Sequence, residues 1–282
     1  MKVLSSPEEI YAQLDFLRRQ GNRIGLVPTM GALHDGHLSL VREAKRECDI
    51  AVTTIFVNPS QFGPNEDFAK YPRTLDSDLE QLSAIGCDFV FVPSNDHIYP
   101  PGHTTFIEPP AVAANWEGKI RPGHFRGVAT IVLKLFNMLP ARVAYFGRKD
   151  YQQVAVISAM VRDLNVPILI QPCETVREPD GLAMSSRNRY LSAADRVRAI
   201  GLWHALSKAQ SMIDDGFRNV AQIESAMREI LNKVPVDSID YAAIVDPESM
   251  EPRTDLDSPV VAIIAARVGT TRLIDNSLLR IQ

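Results

Sequence analysis

Between Pro28 and His37 the chain reads PTMGALHDGH, with two imidazoles three residues apart around an Asp-Gly pair. An apolar run precedes them and a helical pattern follows. A helix N-terminus offers unpaired N–H groups and the positive end of its dipole, which suit an anion. His34 and His37, one helical turn apart, can add directed donors toward that same anion. Such a site holds phosphate oxygens from the side and stabilises charge growing on a leaving group. Wrapping a γ-phosphate calls for G-x-x-x-x-G-K-[ST], and the chain has no such run. A single histidine here would be more often an ordinary surface residue near a helix cap; the H-x-G-H pair at a strand–helix junction favours chemistry.

Four further stretches carry chemistry-bearing residues. In IFVNPSQFGPNED (Ile55–Asp67), Asn58 and Gln61 are neutral amides with donors and acceptors, suited to a hydroxyl-bearing acid, or simply an Asn-Pro turn. In AYFGRKDYQQ (Ala144–Gln153), Lys149 supplies a compact charge for a phosphate and Asp150 an acceptor pair for ribose hydroxyls. Gln153 lies one turn from Asp150, so both can face one cleft; a solvated Lys-Asp cap is the bland alternative. In TVREPDGLAMSSRNRYLS (Thr175–Ser192), Met184, Ser185, Ser186 and Arg187 form a short polar loop able to close on a triphosphate, or an interdomain linker with incidental serines. Neither serine has a nearby His–Asp partner in sequence, so no serine nucleophile is expected. In RPGHFRGV, Arg121 and His124 offer a second anion contact or ordinary capping. Asp76 and Asp78 could touch a metal, but on an amphipathic helix solvated acids are the default. No HExxH or Cys/His cluster supports a metal held by the protein.

H-x-G-H in this context resembles the signature of the nucleotidylyltransferase superfamily. The whole run VPTMGALHDGHLSLVREA (Val27–Ala44) resembles the pantoate–β-alanine ligase family, and the likeness extends from near the N-terminus through the second domain. The resemblance implies an ATP-dependent ligase. Pantoate's carboxylate attacks the α-phosphate, giving bound pantoyl adenylate and pyrophosphate, and the β-alanine amine then displaces AMP to form pantothenate. It implies ATP contacts at Met30, Gly31, Ala32, Leu33, His34, Asp35, Gly36 and His37, at Gly147, Arg148, Lys149 and Asp150, and at Val176, Met184, Ser185, Ser186 and Arg187. His37 is then the principal donor during adenylation, with His34 positioning ATP and Lys149 on the phosphates. Gln61 contacts pantoate beside the β-alanine path, Gln153 is the second pantoate ligand, and Asn58 a further one. The family usually reads GEKD where this chain has Arg148. Mg²⁺ is expected on the ATP phosphates, with no protein ligand assigned. A homodimer through the first domain is also implied. Two rivals use the same residues: a nucleotidylyltransferase acting on a phosphorylated acceptor, and a nucleotide-binding regulatory module without turnover.

These residues must be held by alternating strands and helices. Ser6-Pro7-Glu8-Glu9 reads as a helix start, with the helix ending near Gly21. Strands follow at Arg23–Thr29, Asp49–Val57, Asp88–Pro93, Ala144–Gly147 and Pro167–Gln171. Helices are expected at His37–Glu47, Leu75–Ile85, Phe125–Leu139 and Tyr151–Leu164. Strands that alternate with helices, apolar on both faces, predict a Rossmann-like α/β fold with a central parallel sheet. Ligands in such sheets bind beyond the carboxyl ends of the strands. Past Pro179 the pattern becomes helices, Ala193–Asp214 and Val220–Lys233, followed by strands, Ile239–Val245, Val260–Val268 and a short TRLID (Thr271–Asp275). The division expected is 1–175 for a nucleotide- and pantoate-binding domain and 176–282 for a smaller α+β domain closing over the active site.

The 282 residues suffice for two domains, and their net charge of −4 argues against a nucleic-acid surface. Cys48, Cys87 and Cys173 lack CxxC spacing and read as reduced thiols. No run approaches the roughly 18 apolar residues of a membrane span, so a cytoplasmic protein is expected.

Overall fold

The structure, a computed structural model, describes residues 1–64 and 66–281. The Ser6 hydroxyl accepts the Glu9 N–H at 3.2 Å and Pro7 opens α1 (Pro7–Arg19), so the expected start signal is used in full. Six strands form the first sheet: β1 (Lys2–Leu4), β2 (Ile24–Thr29), β3 (Ile50–Ile55), β4 (Phe89–Phe91), β5 (Val143–Gly147) and β6 (Leu169–Cys173). Their order is β1-β4-β3-β2-β5-β6, and every neighbouring pair is parallel. The chain runs from β2 outward to β3 and β4, then returns to the other side of β2 as β5. That reversal places a crevice at the carboxyl ends of β2 and β5.

β1 is not among the strands expected from the sequence: it has only three residues and forms by pairing with β4, the Lys2 to Phe89 register that local pattern cannot show. β6 runs on through Pro172 to Cys173, past the expected end at Gln171. As an edge strand it pairs with β5 alone, so a residue without an N–H is tolerated there.

The helices of this region are α2 (Asp35–Glu47), α3 (Leu75–Ala84), the short α4 (Asn95–Ile98) and α5 (Glu117–Ile120), α6 (His124–Met138) and α7 (Tyr151–Asp163). α2 packs on β2, β3 and β5, burying Leu38, Val41 and Ala44 against Val27, Ala51 and Tyr145.

The later region holds α8 (Ala193–Ala199), α9 (Gly201–Asp214), α10 (Val220–Lys233), and the antiparallel sheet β7 (Ser238–Val245), β8 (Val260–Val268) and β9 (Thr271–Leu279). One expected helix, Ala193–Asp214, is two, α8 ending at Ala199 and α9 opening at Gly201, where a Cβ would come 3.0 Å from Val234. β9 continues beyond the expected TRLID to Leu279, because Asp275 and Asn276 stay in register opposite Ile264 and Ile263. Their polar side chains read as a strand end, yet both are buried and bonded within the fold.

The chain forms two compact units. The first comprises Met1–Gly147 and Val156–Glu174, and the second comprises Arg148–Ala155 and the chain from Thr175 onward. In the second, α9 and α10 cover β8 and β7 around Leu202, Leu206, Ile223, Met227 and Ile264.

Candidate active site

In the first unit the loop leaving β2 is held by a buried acid. Gly31 (φ +79°) and Ala32 (φ +50°) both adopt the left-handed region, which aims successive N–H groups at one point. The Asp78 carboxylate lies there, accepting from the N–H of Ala32 and of Leu33 at 2.9 Å each and from the Thr74 hydroxyl at 3.1 Å. A Cβ on Gly31 would meet the Asp78 carboxylate and Ile55 at 3.0 Å each. The expectation of a solvated acid at Asp78 is therefore corrected: it is 1% exposed and structural, while Asp76 beside it is exposed. Burial is stabilised because main-chain donors replace the lost water.

His34 follows as the N-cap of α2, so the helix starts at Asp35, two residues before the expected His37. Its Nδ1 accepts the Gly36 N–H at 3.2 Å. Nδ1 must then carry the lone pair, and the ring proton of the neutral form sits on Nε2. His37 stands in the first turn with its ring centroid 4.1 Å from that of His34, tilted by 41°. Asp35 is exposed, 3.5 Å from Arg42. Met30 joins this loop to the next element: its thioether accepts from Gln61 Nε2 at 3.1 Å.

Asn58 and Gln61 lie on a 3-10 turn (Pro59–Gln61) after β3, both buried. Asn58 Nδ2 donates to Gln61 Oε1 at 3.0 Å and to the Gly127 carbonyl at 3.3 Å, while its Oδ1 accepts from Ser60 at 3.0 Å and Tyr99 at 2.7 Å. The Asn58 amide thus orients Gln61. The partner of the Gln61 amide nitrogen is a thioether, a weak acceptor, so a better acceptor can claim that donor at small cost.

His124 and Arg121, read from sequence as an anion contact or a cap, brace this turn. His124 Nδ1 donates to the Gln61 carbonyl at 2.8 Å, and Nε2 then accepts from Arg121 at 3.0 Å. Arg121 grips Glu66 with two bonds of 2.8 and 2.7 Å. Burial raises the Glu66 carboxyl, but the hydrogen bonds and charge of Arg121 outweigh it and hold the group below its usual range. Burial first, then the Arg121 charge, lowers His124 from 6.5 to about 4. Between those values the unfolded chain takes up a proton that the folded chain refuses, so stability falls as pH drops through the window. The full effect is about 3 kcal/mol. Urea unfolding from pH 7 to 4.5 should show the parent losing more stability than His124→Asn, which keeps a donor but cannot titrate. Equal slopes would remove His124 as the cause.

In the second unit Arg148–Asp150 form a 3-10 turn directly before α7, following Gly147 at the end of β5. Lys149 Nζ is 3.6 Å from Asp150 Oδ1. Gln153 is half-buried in the first turn of α7. Val176 and Met184 face each other across a narrow loop, the Met184 N–H donating to the Val176 carbonyl at 3.0 Å. Arg177 bridges to Ala183 in the same antiparallel arrangement. Arg196 fastens the loop tip through Glu178 (2.6 Å) and Asp180 (2.8 Å). Ser185 then caps a 3-10 turn (Ser186–Tyr190) by accepting the Arg187 N–H at 3.3 Å; Ser186 is buried and Arg187 half-buried. Among the described residues no group of three or more His, Cys, Asp or Glu is placed to hold a metal ion.

Sequence reasoning missed the anchoring roles of Asp78, Tyr99, His124 and Gly127. Each acts through partners 41 to 69 positions away, and no local pattern marks it.

Comparison with known proteins points the same way. The family model described as pantoate-beta-alanine ligase matches residues 2–278. A pantothenate synthetase of Rhodopirellula baltica is 51% identical over 278 residues, covering 95% of this chain and 98% of the relative. One from Geobacter sulfurreducens is 47% identical over 279 residues, covering 99% of each. A crystal structure of pantothenate synthetase from Thermus thermophilus superposes with a TM-score of 0.94 at 44% identity, covering 98% of this chain and 99% of that one. A pantoate-beta-alanine ligase from Francisella tularensis, solved in complex with beta-gamma ATP and beta-alanine, gives a TM-score of 0.81 at 36% identity, covering 99% of this chain and 97% of that one.

Proposed function

The chain belongs to the pantoate-beta-alanine ligase family, and from that premise we propose that it joins pantoate to β-alanine in an ATP-dependent reaction, by way of a pantoyl adenylate, releasing pantothenate, AMP and pyrophosphate. The His34–His37 pair on the opening turn of α2 carries this reading. His37 donates to the α-phosphate as charge develops, and His34 positions ATP through its Nε2–H. Lys149 neutralises phosphate charge, and Ser185, Ser186 and Arg187 engage the same triphosphate. Gln61 and Gln153 bind pantoate, with Gln61 beside the β-alanine path and Asn58 contributing by fixing the Gln61 amide. At position 148, where the family usually has Glu, the main chain serves and the arginine side chain has no assigned part. Catalysis is then alignment and charge stabilisation, with no covalent enzyme intermediate.

Mg²⁺ enters as part of the substrate, on the oxygens of the ATP phosphates that suit it. Asp78 is not its ligand in this reading, since both carboxylate oxygens are engaged by the Ala32–Leu33 main chain. The proposal includes a homodimer through the first unit, and action in the cytoplasm, where ATP is supplied.

The test follows the carboxylate oxygen. Pantoate labelled with heavy oxygen should pass one label into AMP and none into pyrophosphate, because the bridging oxygen leaves with the phosphate when the amine attacks. Without β-alanine, labelled pyrophosphate should already exchange into ATP. Formation of ADP, with label in inorganic phosphate, would replace the adenylate with an acyl phosphate route.

A further inference from the structure

β9 places two consecutive polar residues, Asp275 and Asn276, in buried positions, 3% and 7% exposed. A buried amide is costly unless its donors are satisfied. Asn276 meets this with one nitrogen: Nδ2 donates to the carbonyl of Arg148 and to that of Lys149, both at 2.8 Å. Two successive carbonyls facing one amide nitrogen is the geometry of a tight turn, so the two N–H donors of this amide clamp the Arg148–Asp150 turn. All these groups belong to the second unit.

The residue before it fastens the other polar loop of that unit. Asp275 accepts from Arg177 at 2.6 and 3.0 Å, and Arg177 also donates to the carbonyls of Asn276 (3.0 Å) and Gly181 (3.1 Å). The Arg177 guanidinium lies 4.2 Å over the Trp203 ring. Gly181 (φ +93°) leaves no room for a side chain, since a Cβ would stand 2.0 Å from Trp203. One strand therefore anchors both the turn carrying Lys149 and the loop running from Val176 to Arg187.

We propose that Asn276 is a positioning residue for Lys149: by holding the two carbonyls it fixes the Cα from which the ammonium reaches the nucleotide's phosphates. The inference rests on the reading of Lys149 as a phosphate ligand. The amide is specific in this role. Aspartate has the same shape but presents carboxylate oxygens to carbonyl oxygens, turning two attractions into repulsions, and alanine removes both donors.

The test is a double-mutant cycle read by pantoate-dependent exchange of pyrophosphate into ATP. Lys149→Ala should lower exchange by roughly 10², the scale of losing one charge-stabilising group. Asn276→Ala should lower it roughly tenfold, as misplacement of a catalytic group does, while the KM for pantoate stays within about twofold. Asn276→Asp should cost more than Asn276→Ala. In the Lys149→Ala background, Asn276→Ala should cost distinctly less than it does alone, because the absent lysine cannot be misplaced and only the main-chain contact at Arg148 is left to disturb. If alanine does not fold, Asn276→Ser, which keeps one donor, carries the same cycle. An equal loss in both backgrounds would make Asn276 merely structural and overturn the inference while leaving Lys149 in place. Full exchange in Lys149→Ala alone would overturn the reading of Lys149, and the inference with it.

Discussion

Replacing His37 with alanine should slow adenylation by roughly 10²–10³, the range seen when one donor to a developing oxyanion is lost. The fold should survive. His37 is half-buried on the first turn of α2, whereas the core contribution of that helix comes from Leu38, Leu40, Val41 and Ala44. Its main-chain N–H is bonded to the His34 carbonyl at 2.8 Å and does not depend on the ring. Removing the imidazole therefore subtracts a donor without opening the sheet. Single-turnover formation of pantoyl adenylate is the measurement, alongside thermal unfolding. Adenylation at the parent rate in the variant would remove His37 from the mechanism. Loss of ATP affinity with an unchanged rate at saturation would give it the positioning role assigned to His34.

Gly127→Ala should destabilise the protein by about 1–3 kcal/mol, the usual cost of overpacking, and weaken pantoate binding more than ATP binding. Propensity alone points the other way, since alanine in a helix interior is favoured over glycine by about 1 kcal/mol. Sterics decide the sign. A Cβ at Gly127 would lie 2.2 Å from the Ser60 carbonyl oxygen and 2.6 Å from the Gln61 Cα. These are main-chain atoms, and the turn that owns them is held by Asn58 Nδ2 on the Gly127 carbonyl and by His124 on the Gln61 carbonyl. The turn cannot retreat without giving up those bonds, so Gln61 moves with it. Urea unfolding and calorimetry with pantoate would measure both effects. A gain in stability with pantoate affinity unchanged would mean that α6 does not clamp the turn.

Most of what positions the site was legible because it is local. The run of apolar residues in β2 and β3, the Ser6-Pro7 cap and the H-x-G-H spacing each lie within one turn or one strand. The resemblance to the ligase family, carried by Val27–Ala44, agrees with the family match over residues 2–278. The supports of the site were not legible, since each depends on a distant partner. Asp78 looks like any acid on an amphipathic helix until β2 delivers Ala32 and Leu33 to it. Gly127 looks like a weak point in a helix until the Ser60–Gln61 main chain is seen against it. Asp275 and Asn276 look like a strand terminus, because polar residues end strands more often than they line a buried one. Pairing with β8 and the bonds to Arg177, Arg148 and Lys149 override that local preference.

The carboxylate of Asp78 has a consequence for the kind of chemistry the first loop can do. A concave run of N–H groups after the first strand is what phosphate-wrapping loops present to their ligand. Here the chain supplies its own side-chain carboxylate to the N–H groups of Ala32 and Leu33. That nest is therefore occupied before any nucleotide arrives, and exchanging a fixed carboxylate for a mobile phosphate would abandon a buried charge. In the proposed reading, anion recognition passes outward to side chains at the rim, where the imidazoles of His34 and His37 serve as the donors. A loop filled from behind can steady a phosphate from one side but cannot enclose a terminal one, which leaves the inner phosphorus open to attack.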